Sequence, residues 1–295
     1  MGARILDGKS IAADLRAEIA AAVAAMKAES GWVPGLGVVL VGDNPASRSY
    51  VSAKEKACAA AGIHSREVTL PATARREEIL AAVRALNADD AIDGILVQLP
   101  LPDSSSEREV LEAISPAKDV DGFHPVNVGR MVLGLPSFVP CTPHGVVEML
   151  RRAGVPLSGA SVVVIGRSQL VVRPLSILLS QKGVDATVTL CHTRTKDLGR
   201  FTRAADIVVV AAGRPHTLTA EMVKPGAVVI DVGVNRVADA TKASGYRLVG
   251  DVDFAAVAER AAAITPVPGG VGPMTIAMLL HNTVEAARRR RGARA

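Results

Sequence analysis

Residues 162–168 read Val-Val-Val-Ile-Gly-Arg-Ser, an apolar run entering a glycine turn, and Pro174 lies where the first turn of a following helix would be. A strand, a tight turn and a helix N-terminus together form a place for a pyrophosphate, because the first amides of the helix point at it and the helix dipole favours negative charge. The full G-x-G-x-x-G pattern is absent, and a plain strand-to-helix turn fits the same residues. The end of the next apolar run sharpens the reading. A site for NAD carries Asp or Glu there to hold the ribose hydroxyls, whereas this chain has Cys191-His192-Thr193-Arg194-Thr195. Hydroxyls and cations in that place, with Arg167 and Ser168 in the first loop, suit a 2′-phosphate and so NADP.

A second group of residues has the types needed for proton chemistry. Tyr50 and Lys54 are four apart, which puts them on one helix face one turn from each other. A surface lysine beside a half-buried tyrosine is the simpler alternative. Gln98 comes late in an apolar run, where a buried amide needs partners, unless the position is an edge facing water. Asp119 and Asp121 flank Val120. In an extended segment they point the same way, and in a turn either one can cap backbone amides. His124, His144 and His192 are scattered without zinc spacing, and Cys58, Cys141 and Cys191 form no close pair, so neither a metal site nor a disulfide framework is expected.

The elements that must carry these residues follow from periodicity. Helical spacing appears at 10–29, 47–61 (closed by Gly62), 77–86, 145–153 and 274–291. Short apolar runs predict strands at 36–41, 66–70, 94–99, 161–165, 186–191, 206–211, 227–232 and 247–250. Alternation of this kind predicts an α/β protein with mostly parallel sheets. Residues 115–143, rich in Gly, Pro and Asp, read as loops over a crevice. The expected division is a catalytic domain over 1–143, completed by the terminal helix 274–295, and a Rossmann-like domain over 144–273, with a cleft between them.

Composition removes other classes. The chain has 295 residues, 49% of them hydrophobic, enough for real cores and too many for a disordered chain. Its 34 Lys and Arg exceed its 29 Asp and Glu, but Arg288, Arg289, Arg290, Arg291 and Arg294 supply the whole excess. With no aromatic residues among them, these arginines read as the solvated end of a terminal helix rather than a nucleic-acid or membrane contact. No apolar h-region opens the chain and no run is long enough to cross a membrane, so a reducing cytoplasm is the expected compartment.

Longer blocks carry a resemblance over nearly the whole chain. They are residues 41–56 (VGDNPASRSYVSAKEK), 94–102 (GILVQLPLP), 118–125 (KDVDGFHP), 140–143 (PCTP), 166–168 (GRS), 229–233 (VIDVG), 250–253 (GDVD) and 265–275 (TPVPGGVGPMT). The chain resembles the bacterial bifunctional methylenetetrahydrofolate dehydrogenase/methenyltetrahydrofolate cyclohydrolase family. The resemblance implies NADP-dependent oxidation of methylene-tetrahydrofolate and hydrolysis of the methenyl product to 10-formyl-tetrahydrofolate. It assigns Lys54 as the catalytic lysine, Gln98 as the amide that orients it, Tyr50 as the ring that stacks on folate, and Asp121 as the carboxylate that holds the pterin edge. Leu99, Pro100, Pro268, Gly269, Gly270 and Thr275 fall at the folate site. Gly166, Arg167, Ser168, Thr193 and Val234 fall at the NADP site. It also implies a homodimer formed through the nucleotide domains. One departure stands out: Val172 occupies a position where the family usually has glycine. A Cβ and two methyls there would keep the backbone from the pyrophosphate, implying weakened NADP binding. The alternatives are thus a cyclohydrolase or folate binder with a damaged dehydrogenase, or an oxidoreductase for another small substrate.

Overall fold

The computed structural model describes residues 2–242 and 245–292. In chain order the elements are β1 (Arg4–Ile5), α1 (Gly8–Ser30), β2 (Gly35–Val41), α2 (Pro45–Ala61), β3 (His64–Leu70), α3 (Arg76–Ala88), β4 (Gly94–Val97), α4 (Glu107–Glu112), α5 (Pro125–Val132) and α6 (Cys141–Arg152). They continue with β5 (Ser161–Gly166), α7 (Val172–Ser180), β6 (Thr187–Cys191), α8 (Leu198–Thr202), β7 (Ile207–Ala211), β8 (Val228–Asp231), β9 (Asn235–Ala238), β10 (Tyr246–Val249), α9 (Phe254–Ala258), β11 (Ala263–Ile264) and α10 (Val271–Gly292). The α/β class expected from the alternating pattern is the class observed.

The chain divides into two units, one of residues 13–141 with 276–295 and the other of residues 1–12 with 142–275. In the first, β2 lies between β3 and β4, all parallel. Every residue of β2 and β4 is buried, as expected of strands covered on both faces. Val39, Val41, Ile95 and Val97 pack there against Ile79, Val83 and Leu86 of α3. A parallel bridge from Ile95 to Asp119 extends the sheet edge and brings the segment around Asp121 beside β4.

In the second unit the strand order is β1-β11-β8-β7-β5-β6, parallel throughout. The order reverses at β5, whose neighbours are β6 and β7. That reversal is the switch point where open α/β sheets leave a crevice at their carboxyl ends. Val163, Ile165, Val208, Val210 and Val229 form its core.

Several expectations need correcting. Residues 1–12 group with the larger sheet and not with residues 13–141. The amides of Ala3, Arg4 and Leu6 donate to Ala258, Ala262 and Ile264, and β1 pairs with β11, so the chain start completes the larger sheet. The stretch 115–143 is not all loop. Pro125 opens α5 at its first position and the His124 ring accepts from the Val126 amide, so a helix starts within this stretch. The strand expected at 247–250 pairs antiparallel with β9, outside the main sheet.

The arginine-rich end is not merely solvated. Arg290 and Arg291 reach the fully buried Asp93 at 2.6 and 3.0 Å, and Arg291 also lies over the Trp32 ring at 4.2 Å. Arg289 stacks on Phe138 at 4.8 Å. Arg294 lies outside the described residues. Among the described residues no helix is long and apolar enough to cross a membrane.

Candidate active site

The buried face of α2 runs Ser47, Val51, Lys54, Cys58 and Ala61, a stripe spaced by three and four residues. Lys54 therefore stands in a row of core positions and is only 8% exposed. The helix is held at both ends. Asn44 accepts from the amides of Ala46 and Ser47, Pro45 occupies the first turn, and Gly62 takes the left-handed conformation at the C-cap. Tyr50, one turn before Lys54, is 44% exposed and stands at the rim.

Lys54 Nζ donates to Gln98 Oε1 at 3.0 Å, and Gln98 Nε2 donates to the Leu99 carbonyl at 2.7 Å. Both ends of the amide are thus committed, and its oxygen can only face the lysine. Gln98 directly follows β4, and its amide donates to Val39 O of β2, so the sheet fixes its position. Leu99 is half-buried and Pro100 exposed.

The two aspartates of the Asp-Val-Asp segment divide between the two readings open to them. Asp119 accepts from the amides of Phe123 and His124 and from Asn127 Nδ2 at 2.8 Å, and so caps the turn. Asp121 faces Lys54. Burial pushes the Asp121 carboxyl above the ordinary carboxylate range, opposed by the Lys54 charge. Burial pushes Lys54 below the ordinary lysine value, opposed by the Asp121 charge. Each group moves toward neutrality, so a proton shared by lysine, carboxylate and a bound reactant crosses a smaller gap than in water.

Cys141 is a neighbour that spacing did not single out as functional. Its thiol lies 3.4 Å from the Val120 carbonyl and against the Asp121 carboxyl, and burial holds it well above the usual thiol range, hence protonated. Asn282 of α10 donates to the Val120 carbonyl at 2.8 Å and the Val139 carbonyl at 3.1 Å. It ties the segment before Asp121 to the terminal helix. Only a pattern of residues far apart in sequence could have revealed either contact.

The expected cofactor residues belong to the other unit and collect at the carboxyl ends of its strands. Gly166 ends β5 with φ 140°, and a Cβ there would meet the Ala211 carbonyl at 2.3 Å, so only glycine fits against β7. Arg167 and Ser168 follow it on the surface. Ser168 Oγ accepts from the amides of Val171 and Val172, capping α7. Thr193 and Arg194 are exposed beyond β6, in a loop closed by the His192 amide donating to Thr195 Oγ1. Val234 is exposed beyond β8. The donor set at the β6 end is cations and hydroxyls with no carboxylate, and it fits a ribose phosphate. Pro268, Gly269, Gly270 and Thr275 also lie in this unit, with Thr275 Oγ1 3.0 Å from Thr142 Oγ1.

Val172 does not sit as the chain's departure from glycine suggested. It is 1% exposed, and its methyls pack inward beneath the Gly166 turn, 2.8 Å from where a Cβ on Gly166 would stand. The branched side chain fills core space instead of covering the mouth of the helix.

The comparisons with known proteins also find two parts, with bounds that differ from these units at the two chain ends. The tetrahydrofolate dehydrogenase/cyclohydrolase catalytic domain matches residues 6–121, and the NAD(P)-binding domain of the same family matches residues 140–291. Bifunctional protein FolD 1 of Myxococcus xanthus is 57% identical over 287 residues, 97% of this chain and 98% of that protein. The crystal structure of the bifunctional FolD enzyme of Campylobacter jejuni superposes with a TM-score of 0.91 at 48% identity, covering 97% of this chain and 99% of that one. The Trypanosoma brucei FolD, solved with NADP cofactor and inhibitor, gives 0.94 at 43% identity with all of both chains covered. With both of its units matched and a relative identical at more than half of the aligned positions, the chain belongs to the tetrahydrofolate dehydrogenase/cyclohydrolase family.

Proposed function

We propose that the protein oxidises methylene-tetrahydrofolate to methenyl-tetrahydrofolate with NADP+ and hydrolyses the methenyl product to 10-formyl-tetrahydrofolate. The observation that carries this reading is the buried Lys54, hydrogen-bonded to Gln98 Oε1 and near enough to Asp121 to feel its charge. Burial lowers the Lys54 pKa and so favours the neutral amine, the form that can take a proton from a water attacking the methenyl carbon.

In the hydrolysis, Lys54 Nζ accepts a proton from the attacking water as its oxygen bonds to the methenyl carbon. The ammonium then gives a proton to N5 as the carbon–N5 bond breaks. The remaining hydroxyl proton leaves to solvent as the formyl C=O forms on N10. Gln98 holds the lysine lone pair toward the substrate side. Asp121 takes the paired donors of the aminopyrimidine edge, a flat arrangement that matches a carboxylate. Tyr50, half-exposed one turn away, offers its ring face to the pterin, and Leu99 and Pro100 add the folate contacts of this unit.

NADP+, when bound, supplies the acceptor for the hydride that leaves the methylene bridge. Gly166, Arg167, Ser168, Thr193 and Val234 hold it: the Gly166 turn admits the backbone, and Arg167 with the hydroxyls meets the phosphates. The edge position of β6, with Leu190 exposed, supports a homodimer through this unit. Three buried free cysteines suit a reducing cytoplasm.

The test is hydrolysis of methenyl-tetrahydrofolate without nucleotide, followed by loss of its absorbance. The wild-type protein should catalyse it and Lys54→Met should not. Full hydrolysis by the variant would refute the role given to Lys54.

A further inference from the structure

Two motif blocks, Val229-Ile-Asp-Val-Gly233 and Gly250-Asp-Val-Asp253, take no part in the chemistry above, and the fold brings them together. Asp231 Oδ1 accepts from the amides of Gly233 at 2.9 Å and Asp251 at 3.0 Å, and Oδ2 from Val252 at 3.0 Å. Asp251 Oδ2 accepts from the amides of Ala212 at 2.6 Å and Gly213 at 2.8 Å, and Oδ1 from Asn235 Nδ2 at 2.8 Å. Each carboxyl also lies over the glycine of the other block. A Cβ on Gly233 would meet the Asp251 carboxyl at 2.1 Å, and one on Gly250 would meet Asp231 Oδ2 at 1.8 Å. The two acids form a reciprocal clasp across the exits of β7 and β8.

All six partners are N–H donors, which is the set that suits two acceptor-only carboxylates. All six are also uncharged, and among the described residues neither acid has a salt bridge. Arg247 lines the same hollow of about 400 Å³ as Asp231, but its guanidinium is turned to Asp239 at 3.8 Å. The clasp is therefore a pair of buried carboxyls held by neutral dipoles; burial pushes Asp231 up to about 6, so its charge is in place above that pH. Its cost is offset by six hydrogen bonds, and among the described residues no salt bridge cancels its field.

Its place in the topology gives that field a consequence. A dinucleotide lies across the carboxyl ends of such a sheet with its adenosine ribose at the end of the second strand, here β6. The nicotinamide half then falls on the other side of the switch, toward β7 and β8, where the clasp is. Nicotinamide is a cation when oxidised and neutral when reduced. We propose that the Asp231–Asp251 clasp determines the relative affinity for the two redox forms of the cofactor, favouring NADP+ over NADPH. This inference rests on the NADP-dependent reading of the same crevice.

Titration calorimetry with NADP+ and with NADPH, at one pH and ionic strength, tests it. Asp251→Asn keeps an oxygen for the Ala212 and Gly213 amides and removes one charge. It should lower the ratio Kd(NADPH)/Kd(NADP+) by about threefold or more, the size expected for one charge lost near a cationic ring in a partly screened site. Asp231→Asn should act in the same direction. The double variant Asp251→Asn/Asn235→Asp returns a carboxylate across the same hydrogen bond and should restore the ratio. A purely structural role would weaken both nucleotides alike and leave the ratio fixed. Hydrolysis of methenyl-tetrahydrofolate without nucleotide, whose proton chemistry is assigned to Lys54, Gln98 and Asp121, should continue unchanged in each variant. An unchanged ratio in the folded neutralised variants, or a double variant behaving like Asp251→Asn, would overturn the proposal. Failure of the wild-type protein to bind either nucleotide would instead overturn the NADP reading on which it depends.

Discussion

At Lys54 the charge state is set by two opposed effects, burial lowering its pKa and the Asp121 carboxylate raising it. With neutral lysine as the proton acceptor, hydrolysis rises with pH through the Lys54 pKa. Removing the Asp121 charge removes the raising effect. The rising limb of the pH–kcat profile in Asp121→Asn should therefore shift to lower pH, whatever the variant does to folate affinity. A limb that stays in place, or moves up, would contradict the coupling. Val172 makes a second prediction at this scale. Its side chain is core, so Val172→Gly should cost roughly 2–4 kcal/mol of stability, read by denaturant unfolding, without tightening NADP binding. These two sites also mark how far a single residue could be read. Lys54 was legible as a partner of Tyr50 one turn away, but its place in a buried row with Val51 and Cys58 was not. Asp119 and Asp121 were legible only as a pair with two open roles, since their division depends on a turn that places the Phe123 and His124 amides around Asp119 alone. Val172 was misread because a motif position carries no information about which way a side chain points.

Among the elements, α10 carries more than its sequence suggested. Arg290 and Arg291 neutralise Asp93, which is fully buried and also accepts from the Gly35 amide at the start of β2. Ending the chain after Ala287 leaves that carboxylate buried without a counter-charge. The loss should be about 3–5 kcal/mol, seen as a lower unfolding midpoint together with reduced hydrolysis. A truncated protein as stable as the full chain would show that solvent takes over the arginines' role. The residues themselves were plain in the sequence, but a run of arginines at a helix end looks the same whether it faces water or a buried acid 197 residues earlier. Long periodic helices and all-apolar strands were legible for the opposite reason, because their signal is local. The two-residue strands β1 and β11 are too short to have a period, and they exist only because each pairs with a neighbour. Gly166 is the element-scale constraint on the cofactor side. Gly166→Ala should push β5 from the Ala211 carbonyl and sharply weaken NADP binding, measured by titration, while nucleotide-free hydrolysis persists.

For the whole molecule, the net charge of +5 turns out to say little about partners. Two of the five arginines behind it are held by a buried aspartate, and the remaining chain is balanced. What organises the protein is the assignment of two kinds of chemistry to two sheets. Lys54, Gln98 and Asp121 are gathered by the three-stranded sheet and its helices, and the residues proposed to hold the dinucleotide by the strand ends of the six-stranded sheet. The division was visible in the sequence as two separate α/β series. The passage of residues 1–12 to the second sheet was not, because it is decided by pairing with β11 at the far end of the chain. The central claim, that one chain performs both reactions, is tested most directly by incubating the protein with methylene-tetrahydrofolate and NADP+ while following NADPH and methenyl absorbance together. The account predicts that NADPH forms and that methenyl-folate stays low in the wild-type protein, and accumulates whenever a Lys54 variant still oxidises. No NADPH from the wild-type protein would contradict it.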